Sequence, residues 1–289
     1  MKVSNHVYAK KMLFQARTPA GVMERTVYVY VVAGNEASCL IDTGVVSGVD
    51  DVFDFIASTG RNSKDISEIL ISHAHVDHIG ALCELKRRLG CPAAASADST
   101  RWIEDINAQF QKRPVPGFKD FVKESAVIDR NIKDGDIIEL GNSTLRVYAA
   151  PGHEQGQLAF FHEQDGVLFT ADSIPIPGEI PIYDDVAAQV DTLHRLSQIA
   201  DVKVLLLSWG EPYEGQEAVA GAFKNALEYV MKVHKLTQDG IAKYGATDTE
   251  AVAKYVHGEL GLPAGTFNLL FTNTIKAHIC SKDLKITII

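Results

Sequence analysis

The sequence predicts a layered α/β architecture for the chain up to about Pro212. Short apolar runs bounded by Gly, Pro and polar residues recur along this stretch, as expected of strands, and segments with apolar residues at helical spacing separate them. With 289 residues, of which 46% are hydrophobic, the chain can bury the core of one large domain. Alternating strands and helices of this kind pack as sheets covered by helices.

The individual elements follow from these patterns in chain order. The β-rich runs 27–32 and 39–41 flank Gly34-Asn35, which is a plausible hairpin turn. Apolar residues at helical spacing then predict a helix over 48–58. The remaining elements of this half are a strand over 66–72, a helix over 79–89, a strand over 91–96, a helix over 100–110 capped by Asp98, and strands over 144–150 and 167–172.

From residue 214 the composition becomes helical. One apolar face runs through 217–235, and Thr247-Asp-Thr-Glu250 resembles a capping box that opens a helix reaching Leu260. We therefore divide the chain into a layered domain, 1–213, and a helical extension, 214–289, that completes or packs on the same domain. The extension also holds three histidines without pairing motifs, interpreted as surface or hydrogen-bonded core residues: His234, His257 and His278.

Two segments broken by Pro and Gly could contact a substrate. Residues 111–125 carry two phenylalanines that look exposed, and they form either a lid over a pocket or an ordinary surface connection. The second segment, 174–185, contains Tyr183, which is a candidate substrate contact. The alternative for Tyr183 is packing beside a loop fixed by prolines.

The composition limits the partners and the compartment. The chain has 28 basic and 37 acidic residues, hence a formal net charge of −9, which argues against a nucleic-acid partner. The dense basic spots at 86–88 and 112–113 are interpreted as solvated surface. Four cysteines without ligand spacing fit a reduced cytoplasmic setting, and no segment has the length of a signal core or of a membrane span. We expect a cytoplasmic protein that acts on a small molecule.

The most informative motif is His73-Ala-His75-Val-Asp77-His78, which follows the apolar run 69–71. Neutral imidazole is a common ligand of zinc and similar metals, and carboxylates complete such sites. In an extended segment His73, His75 and Asp77 point to one side, whereas His78 leaves in another direction as the chain turns into a helix. One metal can therefore be held by the first two histidines while Asp77 and His78 reach a neighbouring position.

Two later residues supply further ligands for such a site. His153 comes just past the predicted strand 144–150, and Gly152 before it allows a tight backbone turn. Asp172 ends the apolar run that begins at Val167. A single His or a strand-end Asp is usually a surface residue or a turn cap, but their order after the histidine motif indicates a shared metal site.

These motifs resemble those of the metallo-β-lactamase superfamily of metal-dependent hydrolases, over about Val27 to Pro212. The similarity also includes the segments Cys39-Leu-Ile-Asp42-Thr43-Gly44, Asp134-Gly135-Asp136 and Thr170-Ala-Asp-Ser173. The resemblance implies an α+β fold, namely a four-layer αββα sandwich with a C-terminal helical extension. In that fold two sheets pack face to face between helices, with the metals at one edge.

The same resemblance implies the ligand set and the cofactor. The expected cofactor is one or two zinc ions, with iron or manganese as alternatives. His73, His75 and His153 would hold the first ion. Asp77 and His78 would hold the second, and Asp172 would bridge the two.

The sequence departs from the family pattern at its last histidine, since that position is Trp209 in Ser208-Trp209-Gly210-Glu211. An indole offers a metal only an N–H donor, so the second ion is expected to bind weakly or not at all. Ser208 or Glu211 could compensate, and a carboxylate is the better ligand. Trp209 itself either fills the space of the lost ligand or stacks on a substrate.

The resemblance implies hydrolysis of an ester, thioester, lactone or related carbonyl bond, or of a phosphoester, by a metal-activated hydroxide. Asp77 is expected to orient this hydroxide and to shuttle its proton. In such proteins an extension like 214–289 often shapes the substrate pocket or a dimer contact. A homodimer is therefore one possible assembly.

Two alternatives belong to other classes of protein. A single iron held by His73, His153 and Asp172 would form a two-histidine, one-carboxylate site suited to dioxygenase chemistry on a thiol or persulfide. The second alternative is a non-catalytic member that binds a metal or another ligand. Metal analysis and assays for oxygen uptake and hydrolysis separate these classes.

Overall fold

The computed structural model describes residues 1–18, 21–281 and 284–289. Within it the chain forms two compact units, which are described separately. The first unit consists of Met1–Ala149, Gly156–Ala171 and Lys203–Pro212, and the second of Ala150–Gln155, Asp172–Val202 and Tyr213–Ile289. The division at residue 213 stays a prediction, since the second unit also takes in two earlier segments.

The first sheet of the first unit begins with a long hairpin, and its first strand was not predicted. Strand β1, Val7–Thr18, pairs antiparallel with β2, Gly21–Ala33. The sheet continues in the order β1 to β6, with β2 and β3 antiparallel and the later neighbours parallel. Its shorter strands are β3 Ser38–Ile41, β4 Ile66–Leu70, β5 Ala93–Ala95 and β6 Arg130–Asn131.

The apolar pattern of β1 changes phase within the strand. Val7 and Ala9 are buried on one face of the sheet, whereas Met12 and Phe14 are buried on the other. Side chains alternate along a strand, so the buried positions change from odd to even numbers at Lys10-Lys11. Neither half of the strand is long enough to give a clear period of two in the sequence. This change of phase explains why the sequence pattern missed the strand.

A second sheet covers one face of the first within the same unit. Residues of both sheets, among them Tyr30, Leu70, Phe160 and Phe169, form one buried apolar cluster. In the first unit its strands run in the order β11, β10, β9, β8, β7, and only β10 and β11 are parallel. These strands are β7 Ile137–Glu139, β8 Thr144–Ala149, β9 Leu158–His162, β10 Val167–Ala171 and β11 Val204–Leu207.

Helices cover the other face of the first sheet. Val29, Leu40 and Ile69 of the sheet share a second buried cluster with Val52 and Leu85 of the helices. The helices of this unit are α1 Val49–Ser58, α2 Val76–Ile79, α3 Leu82–Leu89, α4 Ala97–Glu104, α5 Ile106–Lys112 and α6 Phe118–Phe121, with 3₁₀ turns at Val46–Gly48 and Ser63–Asp65.

Several local predictions in this unit were wrong. The predicted helix 79–89 begins three residues later, as α3 Leu82–Leu89, and the predicted helix 100–110 is broken at Asp105, whose side chain caps α5. Ser96, not Asp98, caps α4 by accepting a hydrogen bond from the Ser99 amide, while Asp98 lies in the first turn. The phenylalanines of 111–125 that looked exposed, Phe118 and Phe121, are buried because α6 turns them into the core.

The second unit is mainly helical. Its elements are α7 Val186–Ser197, β12 Tyr213–Glu214, α8 Gln216–Tyr244, α9 Thr249–Glu259 and α10 Leu269–Cys280, with a 3₁₀ turn at Ala264–Thr266. The predicted capping box is wrong in detail, since Asp248 caps α9 by accepting from the Ala251 amide. Val233, Val256, Phe271 and Ile275 form the centre of its core.

The histidines of this unit are held by hydrogen bonds, as interpreted from the sequence. His257 Nε2 lies 3.0 Å from Thr266 Oγ1, and His278 Nε2 lies 2.7 Å from the Tyr183 hydroxyl. His278 is fully buried, and its burial, together with nearby His234, lowers its pKa to about 3. It is therefore neutral in the folded protein across the physiological range.

A pH-dependent loss of stability follows from His278. Its folded pKa lies below the value of about 6.5 expected in the unfolded chain, so the unfolded state takes up the proton first as the pH falls. Between about pH 7.5 and pH 5, this residue should cost about 2 kcal/mol of unfolding free energy. Urea unfolding at both pH values tests this result, with His278→Gln as the variant that cannot titrate. Equal losses in the two proteins would contradict it.

All four cysteines are present as thiols rather than disulfides. No helix in the part of the chain that the structure describes combines the length and apolar character that a membrane span requires.

Candidate metal centre

The histidine loop, residues 71–78, leaves the carboxyl end of β4. β3 runs parallel to β4 with Ile41 opposite Leu70, so Asp42 after β3 meets the loop at the same edge of the sheet. The structure corrects one expectation about this loop. Asp77 does not continue an extended segment, because α2 begins at Val76 and carries both Asp77 and His78.

Asp42 organises the histidine loop, and sequence analysis gave it no role. Its carboxylate is 1% exposed and accepts hydrogen bonds from the Ser72 amide (2.8 Å), Ser72 Oγ (2.7 Å) and His78 Nδ1 (2.8 Å). Its φ of +59° is a left-handed conformation that Asp and Asn adopt more readily than other side chains. A carboxylate directly after a buried parallel strand was the signal that could have identified it.

These hydrogen bonds assign the proton on two imidazoles of the loop. His78 donates from Nδ1 to the Asp42 carboxylate, which leaves the lone pair on Nε2. Ser72 Oγ donates to Asp42 and therefore accepts from His73 Nδ1 at 3.0 Å, which also leaves the His73 lone pair on Nε2. Metal-binding histidines are usually oriented in this way through their second nitrogen.

His73 and His75 converge as a ligand pair would. His73 Nε2 lies 3.0 Å from His75 Nδ1, and the rings are 4.4 Å apart at nearly right angles. Two ligand atoms on a tetrahedral zinc ion with bonds of 2.0–2.1 Å are separated by about 3.3 Å. The spacing of this pair therefore suits a shared ion.

Helix α5 and the residue that follows it contact the histidine loop through two side chains that sequence analysis did not assign to the site. The buried Gln109 side chain donates to the Ala74 carbonyl, between the two histidines. One helical turn later, the half-buried Arg113 guanidinium contacts His75 Nε2. The interpretation of Arg113 as solvated surface is thus wrong, because the turn after α5 directs it to the loop.

The second unit holds His153 and Asp172 side by side. His153 Nε2 lies 3.3 Å from Asp172 Oδ2, and His153 Nδ1 donates to the Ile182 carbonyl at 2.6 Å. The proton on Nδ1 again leaves the lone pair on Nε2. Three histidines of the predicted ligand set, His73, His78 and His153, are therefore oriented by a hydrogen bond from Nδ1 to an oxygen atom.

The turn before His153 requires glycine. Gly152 has a φ of +136°, and a Cβ atom there would lie 2.5 Å from the Cα of Gln189 in α7. The Gly152 carbonyl in turn accepts from the Asp184 amide at 2.8 Å and the Asp185 amide at 3.1 Å. His153 thus projects from a turn fixed on both sides.

The residues around the missing family histidine lie in the first unit. Trp209 packs edge-on against Phe14 at 6.5 Å and joins the core under the helices, while Ser208 is fully buried. The Glu211 side chain is 72% exposed and accepts from Lys11 Nζ at 2.7 Å and from the Tyr28 hydroxyl at 3.2 Å. The hydrogen bond from Lys11 holds the pKa of Glu211 below its usual value. A role for Glu211 as a compensating ligand stays a prediction. To bind a metal, its carboxylate would have to give up the ion pair with Lys11.

Tyr183 lies in the core rather than at a surface. Its side chain is 0% exposed and its hydroxyl is bonded to His278. This is the packing alternative, so contact with a substrate would require the loop to move.

Comparison with known proteins identifies the class of this chain. The sequence model of the metallo-beta-lactamase superfamily matches residues 22–211, which is more than half of the chain. The chain belongs to the metallo-beta-lactamase superfamily. The resemblance stated from the motifs is therefore confirmed.

Several similar sequences carry the name hydroxyacylglutathione hydrolase. A protein of Methylococcus capsulatus is 27% identical over 251 residues, covering 82% of this chain and 87% of that relative. Another, of Rhodopseudomonas palustris, is 27% identical over 134 residues, covering 46% of this chain and 44% of that relative. The match thus spans less than half the length of the second relative.

Solved structures show the same fold at low identity. A metallo-beta-lactamase family protein of Thermus thermophilus has a TM-score of 0.68 and 17% identity, covering 94% of this chain and 91% of that one. BJP-1, a subclass B3 metallo-beta-lactamase of Bradyrhizobium japonicum, has a TM-score of 0.58 and 22% identity, covering 80% and 95%. Together with the two sheets, the helices and the C-terminal helical region, these matches confirm the predicted fold class.

Proposed function

We propose that the chain is a metal-dependent hydrolase that cleaves an acyl bond of a small molecule, with a thioester as the first candidate substrate. The observation that carries this proposal is the common orientation of His73, His78 and His153. Each is hydrogen-bonded through Nδ1, to Ser72, Asp42 and the Ile182 carbonyl respectively, and each has its lone pair on Nε2.

The proposed ligand set follows the superfamily pattern. In this proposal His73, His75 and His153 would hold one ion, Asp77 and His78 would hold a second, and Asp172 would contribute its carboxylate. A set of imidazoles and carboxylates suits zinc, and manganese or iron as well. The second ion is the weaker one in this proposal, because Trp209 stands where the pattern has its last histidine.

Each protein group has a definite task in the proposed reaction. When bound, the metal supplies Lewis-acid chemistry, activating water for attack and polarising the acyl carbonyl. Asp77, whose side chain is 14% exposed, accepts a proton at its carboxylate and returns it to the leaving group. Asp42 keeps His78 in one tautomer, and Gln109 fixes the loop between His73 and His75.

Two observations favour an anionic thioester among the candidate substrates. The relatives described above are named hydroxyacylglutathione hydrolases, and one of them aligns over 87% of its length. Arg113 places a permanent positive charge beside His75, which suits a substrate that carries carboxylates.

The test combines metal analysis with a substrate panel. Protein purified without added metal is assayed for zinc, manganese and iron, and then for hydrolysis of a hydroxyacylglutathione, a neutral thioester, a lactone and a phosphodiester. We expect bound metal, fastest hydrolysis of the glutathione thioester, and loss of turnover on chelation that added zinc restores. Bound iron with oxygen uptake, or tight metal binding without any hydrolysis, would contradict the proposal.

A further inference from the structure

The carbonyl that orients His153 belongs to a loop that is tied to the last helix of the chain. Ile182, which accepts from His153 Nδ1 at 2.6 Å, is followed directly by Tyr183. The Tyr183 amide donates to Thr274 Oγ1 of α10 at 3.1 Å, and the Tyr183 carbonyl lies 3.1 Å from the same hydroxyl. One hydroxyl group of α10 thus holds both sides of the residue next to the orienting carbonyl.

The tyrosine side chain makes a second tie to the same helix. Its hydroxyl lies 2.7 Å from His278 Nε2, one turn beyond Thr274, and the two rings meet edge to face. Burial raises the pKa of Tyr183 well above its usual value, so the hydroxyl is the donor and the neutral imidazole the acceptor. His278 Nδ1 lies 3.1 Å from His234 Nδ1 of α8, which extends the chain of contacts to a second helix.

The three side chains that make these ties are fully buried, so the loop has little freedom to move. Tyr183, Thr274 and His278 are each 0% exposed, and water cannot replace their hydrogen bonds without opening the core. A carbonyl held in this way fixes the ring plane of the histidine that donates to it. The ring of a metal ligand is usually fixed by such an outer partner, and losing the partner typically costs about 10- to 100-fold in metal affinity.

We propose that Tyr183 and Thr274 form an anchor, the Tyr183–Thr274 anchor, through which α10 positions His153 and thereby sets the affinity of the site for its metal. This inference rests on the proposed function, in which His153 is a ligand. It assigns the C-terminal helices a part in metal binding rather than in packing alone. In this account Tyr183 and Thr274 are positioning residues, since neither touches the ion or the substrate.

The test measures metal affinity, not only activity. Thr274→Val removes the hydroxyl while keeping the shape of the side chain, and Thr274→Ser restores the hydroxyl. The matched control is Thr237→Val in α8, where a fully buried threonine of the same unit donates to the Val233 carbonyl of its own helix at 2.8 Å. Affinities for Zn²⁺ are measured by competition with a chromophoric chelator. Co²⁺ serves as the spectroscopic probe of the coordination geometry.

We expect Thr274→Val to weaken Zn²⁺ binding about tenfold or more and to change the Co²⁺ visible spectrum, whereas Thr274→Ser and Thr237→Val stay within about twofold of the wild type. Tyr183→Phe, which keeps the ring and loses only the hydroxyl, should shift affinity in the same direction. This second variant keeps the test open if Thr274→Val does not fold.

Two outcomes overturn the inference, and they differ in what else they overturn. Equal affinities in Thr274→Val and Thr237→Val, with metal bound normally by the wild type and lost in His153→Ala, would refute the anchor alone. Metal binding that is unchanged in His153→Ala, or absent in the wild type, would refute the proposed ligand set together with the anchor.

Discussion

Replacing Asp77 by asparagine is expected to lower kcat of the metal-loaded protein about 10²- to 10⁴-fold. A positioned carboxylate that moves a proton in the transition state contributes about that factor, and an amide of the same shape cannot take up the proton. Because Asp77 lies in the first turn of α2, with 14% of its side chain exposed, the fold should be unaffected. Steady-state kinetics on the best thioester measures the effect, with metal content and circular dichroism recorded in parallel.

The control for this variant is Asp54→Asn, which makes the same chemical change on the exposed face of α1. It should leave kcat within about twofold of the wild type. Turnover of Asp77→Asn at the wild-type level, with full metal content, would remove Asp77 from the proposed chemistry.

Replacing Asp42 by asparagine should cost about 3 kcal/mol of unfolding free energy and weaken binding of the ion held by His78 about 10- to 100-fold. The carboxylate accepts three hydrogen bonds, so an amide must turn an N–H towards one of these donors in a buried site. The stability loss is measured by urea unfolding of chelator-treated protein. The loss of affinity is measured by chelator competition.

Asp201→Asn provides the matched control, since Asp201 has the same φ of +59° but is exposed. Asparagine tolerates this backbone conformation, so the control isolates the buried charge from backbone effects. Equal losses of stability in the two variants would show that the three buried hydrogen bonds to Asp42 add nothing beyond the backbone effect.

The sequence allowed prediction of candidate ligands that are marked by their immediate neighbours in the chain. The histidine motif, His153 and Asp172 each stand just past a strand, and each was recognisable from residue type and spacing. Asp42, Gln109 and Arg113 act on the histidine loop from other elements, at distances in sequence of about 30 to 40 residues, and such contacts leave no periodic signal.

The errors have similar physical causes. Helix ends were misplaced by a few residues because several polar residues near each end can serve as the cap, and only the local backbone selects Ser96 or Asp248. For Tyr183, which follows Asp172 in a loop, the sequence left two alternatives, contact with a substrate and packing beside the prolines. The structure buries it, since Thr274 and His278 of the distant α10 supply its partners.

The first sheet carries a separate apolar core on each of its faces, and this arrangement should make the first unit unfold as a whole. Val7 and Ala9 belong to the core between the sheets, whereas Met12 and Phe14 belong to the core beneath the helices. The neighbouring strand β2 also serves both cores, with Val29 beneath the helices and Tyr30 between the sheets, so neither core can lose its packing without pulling on the same ladder of hydrogen bonds. The amide hydrogens of the strands around both cores should therefore exchange together, in one cooperative opening. In folding, β1 and β2 should pair early, because they are neighbours in sequence.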